Sequence, residues 1–390
     1  MVSGRRLRPA DGHNRKVINP DAVRIPTGLL PLDGRFGCGP SKIRRESLEH
    51  LAGDGGRLMG TSHRQAPVRS LVHQIRGGLT HLFALPEGYE VVLGVGGATC
   101  FWDVATLCLI ERRSQHLVFG EFSSKFASSV ENAPHLEMPI IVESAPGSHP
   151  RLESSPEVDA YALTHNETST GVAMAVARPD RDGLVLVDAT SAAGAMAVDP
   201  LQFDCYYFSP QKVFGSDGGL WLALMSPAAI ERVGRIKSSG RWVPPFLDLQ
   251  IAIENSRLDQ TYNTPALATL SLMYDQLTWI LENGGLDFAV TRSKATSDVI
   301  YSWAESRSWA QPFVTDPAMR SPVVATIDLD ERIDAKALAG TLRANGIVDT
   351  DAYRKLGRNQ LRLGCFPAVE PDDARAVTVC VDYLVDRLTD

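Results

Sequence analysis

Three short stretches and one lysine carry residue types that could do chemistry in a definite order. Gly94-Val95-Gly96-Gly97-Ala98-Thr99 lies between an apolar run and a helix-like stretch. A glycine turn that opens a helix offers unpaired N–H groups and the positive end of the helix dipole to a phosphate. His165-Asn166-Glu167-Thr168-Ser169-Thr170-Gly171 follows, and then Asp188, at the end of the apolar run Leu184–Val187. Lys212 comes after Tyr206-Tyr207-Phe208, in Ser209-Pro210-Gln211-Lys212. Taken singly, each piece has a plain structural reading. Glycine pairs are common in such turns, and here Thr99 stands where the dinucleotide fingerprint has its third glycine. Asp188 could cap a helix or bind a ribose. Lysines usually lie on the surface, although the neighbours of Lys212 are apolar. Taken in order, the pieces fit pyridoxal phosphate. That cofactor needs a phosphate cradle, a carboxylate beside the pyridine nitrogen, and a lysine that bonds to the aldehyde and moves a proton.

Elements that bring strand ends together must position these groups. Ala66–Leu85 places Val68, Leu71, Val72, Ile75, Leu79, Leu82 and Phe83 at spacings of three and four, one face of a helix that Pro86-Glu87-Gly88 should end. Short apolar runs then appear at 91–93, 116–119, 139–142, 184–187, 206–208 and 220–224, several separated by helix-like stretches such as Thr99–Glu111 and Phe122–Asn132. Strands alternating with helices predict an α/β fold with a largely parallel sheet covered on both faces. Its ligand should lie at the strand ends. A long helical region is expected from Asn263-Thr264-Pro265 to about Ser308, broken near Asn283-Gly284-Gly285. Beyond it, strand, helix, strand and helix over 323–329, 334–344, 360–365 and 371–388 predict a smaller α+β lobe. The expected division is a flexible tail over 1–25, a large domain over 26–285 whose N-terminal segment packs on the small domain, and a small C-terminal domain over 286–390.

The 390 residues carry a formal net charge of −7, with 44% hydrophobic and 22% charged residues, an ordinary globular composition. The acidic balance argues against sequence-independent nucleic-acid binding, which needs a basic surface. No apolar stretch reaches the roughly 18 residues of a membrane helix. The six cysteines are scattered without a CxxC pair, which reads as free thiols in a reducing cytoplasm rather than as a metal site.

From Arg35-Phe36-Gly37-Cys38-Gly39-Pro40 to Phe366-Pro367-Ala368-Val369-Glu370-Pro371, the chain resembles the phosphoserine aminotransferases, the actinobacterial form in particular. The stretches that carry the resemblance are Gly60–Pro67, His165–Gly171, Gln211-Lys212, Gln260–Ala266 and Tyr353–Arg362. It implies a fold type I pyridoxal-phosphate aminotransferase of class V, with a large domain, a smaller C-terminal α+β domain, and a homodimer with composite active sites. The implied reaction converts 3-phosphohydroxypyruvate and L-glutamate into O-phospho-L-serine and 2-oxoglutarate, in serine biosynthesis. The implied roles give Lys212 the covalent link to the cofactor and Asp188 the pyridinium nitrogen. Ala98, Thr99 and Gln211 would bind the cofactor phosphate, Thr168 the phenolic side of the ring, and Asn263 and Thr264 the phosphate from the neighbouring subunit. His63, Arg64 and Arg354 would hold the substrate phosphate, and Arg362 the α-carboxylate.

This chain departs from the family pattern in places. Ala98 stands where many relatives carry an arginine, and Tyr353-Arg354 stands where many have His-Arg. The aromatic that stacks on the ring is commonly tryptophan; here Phe122 takes that place, and Trp102, early in a helix, is expected in the core. A nicotinamide oxidoreductase using Gly94–Thr99 and Glu121 would leave Lys212 and Asn263-Thr264 without roles. A transaminase acting on glyoxylate or another small oxoacid is the alternative within the cofactor class, and His63, Arg64 and Arg354 favour a phosphorylated substrate over it.

Overall fold

A computed structural model describes residues 23–388. Its central sheet contains β1 (Glu90–Val95), β2 (Ser114–Val118), β3 (Ile140–Glu143), β4 (Ala160–Thr164), β7 (Leu184–Asp188), β8 (Cys205–Phe208) and β9 (Leu220–Met225), in the spatial order β1-β9-β8-β7-β4-β2-β3. Two short strands, β5 (Asn166–Glu167) and β6 (Val172–Ala173), pair beside it. The expectation of a largely parallel sheet holds for β2, β3, β4, β7 and β8. β9 runs antiparallel to both of its neighbours, so the sheet is mixed. Strand β4 is absent from the sequence reading, although every one of its residues is buried. Its sequence, Ala-Tyr-Ala-Leu-Thr, has too few bulky apolar residues to stand out as a run.

With β9 reversed, the C-terminal ends of β1, β8, β7, β4 and β2 all reach one edge of the sheet. The glycine turn, Lys212, Asp188, the His165–Gly171 stretch and Phe122 each follow one of these ends. Helix α3 (Gly97–Cys108) starts after β1, and α4 (Glu121–Glu131) starts after β2; α1 (Arg45–Ala52) precedes the sheet, and α5 (Pro227–Ser238) and α6 (Leu249–Arg257) follow β9. Helix α2 (Ala66–Leu82) buries Val68, Leu71, Val72, Ile75, Leu79 and Leu82, as its periodicity predicts. It stops before Pro86 because Ala84 takes a left-handed φ of 46° and the Leu85 and Ala84 amides bond back to Thr80 O and His81 O, a terminating turn that needs no proline.

The helical region after Pro265 is two helices, α7 (Leu267–Glu282) and α8 (Gly285–Glu305), with Gly284 at positive φ between them and Gly285, also at positive φ, opening the second. The C-terminal lobe pairs β10 (Ala310–Pro312), β11 (Val324–Leu329) and β12 (Gln360–Gly364) antiparallel, with α9 (Ala335–Ala344) and α10 (Pro371–Leu388) packed beside them. Residues 1–22 of the expected tail lie outside the described residues. Its last residues do not fit the expectation: Ile25 is buried and its amide donates to Asn345 Oδ1 at 3.0 Å. Phe36 joins the core of the C-terminal lobe, and Arg35 bridges to Val348. Among the described residues no helix is long and apolar enough to cross a membrane.

Candidate active site

At that sheet edge lies a cavity of about 340 Å³, with Gly97, Thr99, Phe122, Asp188, Gln211 and Lys212 in its wall together with Ala98 and Thr168. Seven of the thirteen residues singled out in the sequence therefore line one space: Ala98, Thr99, Phe122, Thr168, Asp188, Gln211 and Lys212. Lys212 is buried, and its Nζ donates to Cys38 O at 2.6 Å. Gly39 makes this approach possible: a Cβ there would lie 2.3 Å from Lys212 Nζ, and its φ of +143° suits glycine. Burial pushes the Lys212 ammonium down to about 8. Arg362 acts in the same direction, while Asp188 and Glu167 act against it. A lysine so placed is far closer to its nucleophilic free base at neutral pH than an exposed one.

Asp188 ends β7, in register with Thr164 on one side and Tyr207 on the other. Its Oδ1 accepts from the Thr190 amide at 2.9 Å, and its Oδ2 accepts from Trp102 Nε1 at 3.0 Å. Burial raises the Asp188 carboxyl above its ordinary range, and the hydrogen bonds from Thr190 and Trp102 work the other way. A buried carboxylate of this kind gains most from a cationic partner in the cavity. The expected core role of Trp102 is thus only half right. It packs beneath the sheet edge, and its indole N–H also orients the carboxylate while the ring lines the cavity. The ring of Phe122 lies 5.8 Å from Lys212 Nζ.

Helix α3 opens at Gly96, which has a φ of +124° and no side chain with which to cap its first amides. One of these amides has a partner within the chain. The Ala98 amide donates to Ser209 Oγ at 2.7 Å, so a phosphate is left with the amides of Gly97 and Thr99 and the Thr99 hydroxyl. Ser209 is a residue the sequence reading passed over, although it stands three places before Lys212. The buried atoms Asn166 Oδ1, Thr190 Oγ1 and Gln211 Oε1 have no hydrogen-bond partner, and all three residues line the cavity. Thr168 and Asn166 both donate to Ser191 Oγ, at 2.8 Å each. Orphaned polar atoms around an uncapped helix start, a buried carboxylate and a lysine fit a polar, phosphorylated, ring-shaped cofactor better than an apolar ligand.

Arg362 lines an adjoining recess with Gly37, Cys38, Gly39 and Pro40, and Gly39 belongs to both spaces. Its Nη1 donates to Thr168 O at 3.1 Å, its Nε is buried without a partner, and its guanidinium lies 5.2 Å from the Tyr353 ring centroid. That leaves donors for a carboxylate. Arg354 lies exposed on the loop beside Tyr353. The nearby Arg358 is held by Asp328.

The remaining four predicted residues do not line the lysine cavity of their own chain. His63 Nδ1 lies 3.3 Å from Thr264 Oγ1, Arg64 Nη1 donates to Gln260 Oε1 at 3.0 Å, and Asn263 and Thr264 are exposed. The four gather in one surface cluster, in which the buried His63 Nε2 has no partner.

The chain matches the family model of class-V aminotransferases over residues 44–350. It is 60% identical over 368 residues to a Mycolicibacterium vanbaalenii protein provisionally named phosphoserine aminotransferase, covering 94% of this chain and 99% of that one. It is 58% identical over 372 residues to the phosphoserine aminotransferase of Nocardioides sp., covering 94% and 100%. Among solved structures, the phosphoserine aminotransferase of Cytophaga hutchinsonii superposes with a TM-score of 0.82 at 22% identity, over 90% of this chain and 99% of that one. At that identity the likeness speaks for the fold.

Proposed function

The chain belongs to the class-V aminotransferases and is a pyridoxal-phosphate-dependent transaminase, and from that premise we propose that it transfers the amino group of L-glutamate to 3-phosphohydroxypyruvate, giving O-phospho-L-serine and 2-oxoglutarate. What supports the choice of substrate is the set of arginines available beyond the one in the recess beside the buried lysine: Arg362 lines that recess, Arg354 stands exposed on the Tyr353 loop, and Arg64, in its separate surface cluster, would reach a site from a second subunit. A small unphosphorylated oxoacid would occupy only the first.

Bound pyridoxal phosphate supplies an electron sink for the electron pair left when the α-proton of the amino acid is removed. The chain supplies the rest. Lys212 would hold the cofactor through its aldehyde carbon and would be the group that takes and returns the proton at the substrate α-carbon. Asp188, oriented by Trp102 and Thr190, keeps the pyridine nitrogen protonated. Gly97, Thr99 and Gln211 bind the cofactor phosphate, Thr168 takes the phenolic side, and Phe122 covers the ring. Arg362 binds the α-carboxylate common to both substrates, and Arg354 adds charge for the phosphate. In a homodimer, His63 and Arg64 complete the substrate-phosphate site and Asn263 and Thr264 the cofactor-phosphate site, each set serving the opposite subunit. The large domain over 26–285 carries the cofactor and the small domain over 286–390 carries Arg354 and Arg362.

The test is a panel of acceptors at fixed glutamate. Turnover with 3-phosphohydroxypyruvate should exceed that with hydroxypyruvate or glyoxylate by at least the roughly tenfold to hundredfold worth of one charge-assisted contact. Equal kcat/KM for the phosphorylated and unphosphorylated acceptors would refute the assignment.

A further inference from the structure

Glu167 stands in the wall of no assigned subsite, yet its side chain is completely buried. The amides of Phe122, Ser123 and Ser169 and the hydroxyls of Ser123 and Ser169 all lie within 3.3 Å of its two carboxylate oxygens. Two of these amides belong to the first turn of α4. A helix start normally has its orphan amides satisfied by the side chain of its own N-cap residue. Here that residue is Gly120, which has no side chain to offer. The glycine is imposed by its neighbour, since a Cβ on Gly120 would lie 2.3 Å from Glu167 Cγ. The capping group has in effect been moved from the helix to the strand beside it, 47 positions along the chain.

We propose that Glu167 is a positioning residue for the ring-covering side of the site: its carboxylate caps α4 from outside the helix and thereby fixes Phe122 against Lys212. The amide of Phe122 is itself one of the groups Glu167 holds, so the cap acts on the residue that matters rather than on the helix in general. The inference rests on the proposed place of Phe122 over the cofactor ring.

Three variants test it: Glu167→Ala, Gly120→Asp, and the two combined. The readouts are hydrogen exchange at the Phe122 and Ser123 amides in the cofactor-free chain, and cofactor affinity from titration of the visible band. Glu167→Ala should speed exchange at both amides and weaken cofactor binding roughly five- to tenfold, the factor that loss of a helix cap corresponds to. Gly120→Asp alone should also weaken binding, because its Cβ has no room beside Glu167. The combined variant returns a carboxylate to the ordinary capping position and removes the Glu167 clash, leaving only Ser169 Oγ, 2.6 Å from the new Cβ, to rotate aside, so it should recover both readouts beyond either single variant. A combined variant no better than the worse single one would overturn the proposal, as would unchanged affinity in Glu167→Ala. Should Glu167→Ala fail to fold, Glu167→Gln keeps the volume, and the same two readouts apply. Adding Glu167→Ala to Phe122→Ala should cost nothing more in affinity; an additive loss would show that Glu167 does not act through Phe122. Wild-type affinity in Phe122→Ala would overturn the ring-covering assignment itself, independently of Glu167.

Discussion

Lys212 and Arg362 do opposite kinds of work with the same sign of charge. The lysine is useful because burial brings it to about 8, so that it can lose its proton. The arginine would be useful for its planar guanidinium, which can hold a carboxylate through two parallel hydrogen bonds. In the cofactor-free protein the burial of Lys212 has a measurable stability cost. Between pH 8 and the ordinary lysine value of 10.5, the unfolded chain holds a proton at this site that the folded chain has released, so stability rises with pH across that window. Below pH 8 the whole cost is present. Lys212→Met removes it, so the cofactor-free variant should be the more stable at pH 7, by at most about 3 kcal/mol, with the gap closing towards pH 10.5. Urea unfolding of both proteins across that range would measure it, and a gap that widened with pH would contradict the burial argument. For Arg362→Ala we expect losses of about 1.5–3 kcal/mol in kcat/KM for glutamate and for the phosphorylated oxoacid alike, because both present an α-carboxylate. Arg354→Ala should affect mainly the oxoacid. Steady-state kinetics of each half-reaction separates the two patterns.

At the scale of elements, the site depends on reversed β9. Gly94 of β1 pairs with Trp221 of β9, and a Cβ on Gly94 would lie 2.2 Å from the indole ring. Trp221 in turn packs on Phe101 of α3, which packs on Tyr207 of β8. One side chain thus ties the strand before the glycine turn to the helix after it and to the strand that leads to Lys212. Gly94→Ala should cost about 1–3 kcal/mol of stability, as overpacking of a filled core does. Because the indole can move only by displacing Phe101, cofactor affinity should fall as well. A lowered Tm with unchanged cofactor affinity would mean that the strain is absorbed away from α3.

For the whole molecule, the separation of His63, Arg64, Asn263 and Thr264 from the lysine cavity has a direct consequence. In the proposed homodimer these residues would serve the site of the second copy, and Tyr262, next to Asn263 in the chain, is exposed as an aromatic side chain suited to a contact. A two-fold dimer would make two such composite sites. Lys212→Ala and Arg64→Ala subunits should each be nearly inactive alone. After exchange, the mixed dimer has one site with both lesions and one with neither, so activity should return to at most half per mixed dimer. Verified mixed dimers that stayed inactive would rule out the shared site.

Local chemistry was written plainly in the sequence. The glycine turn, Asp188 and Lys212 each sit at a boundary that short-range patterns mark, and the amphipathic face of α2 follows from spacing alone. What short-range patterns could not convey was everything made by contact between distant segments. Strand β4 has no strong apolar signature because its place between β2 and β7 buries it on both sides, whatever its own composition. The reversal of β9 is a choice of pairing, and an apolar run reads the same in both directions. Trp102 looked like core packing because its bond to Asp188 spans 86 positions, and Ser209 and Glu167 became legible only once their partners, the Ala98 amide and the start of α4, were placed beside them. The sequence determined which groups are available for chemistry; tertiary structure decided which of them are already spent on one another, because a hydrogen bond or a close contact depends on distance in space and not on separation along the chain.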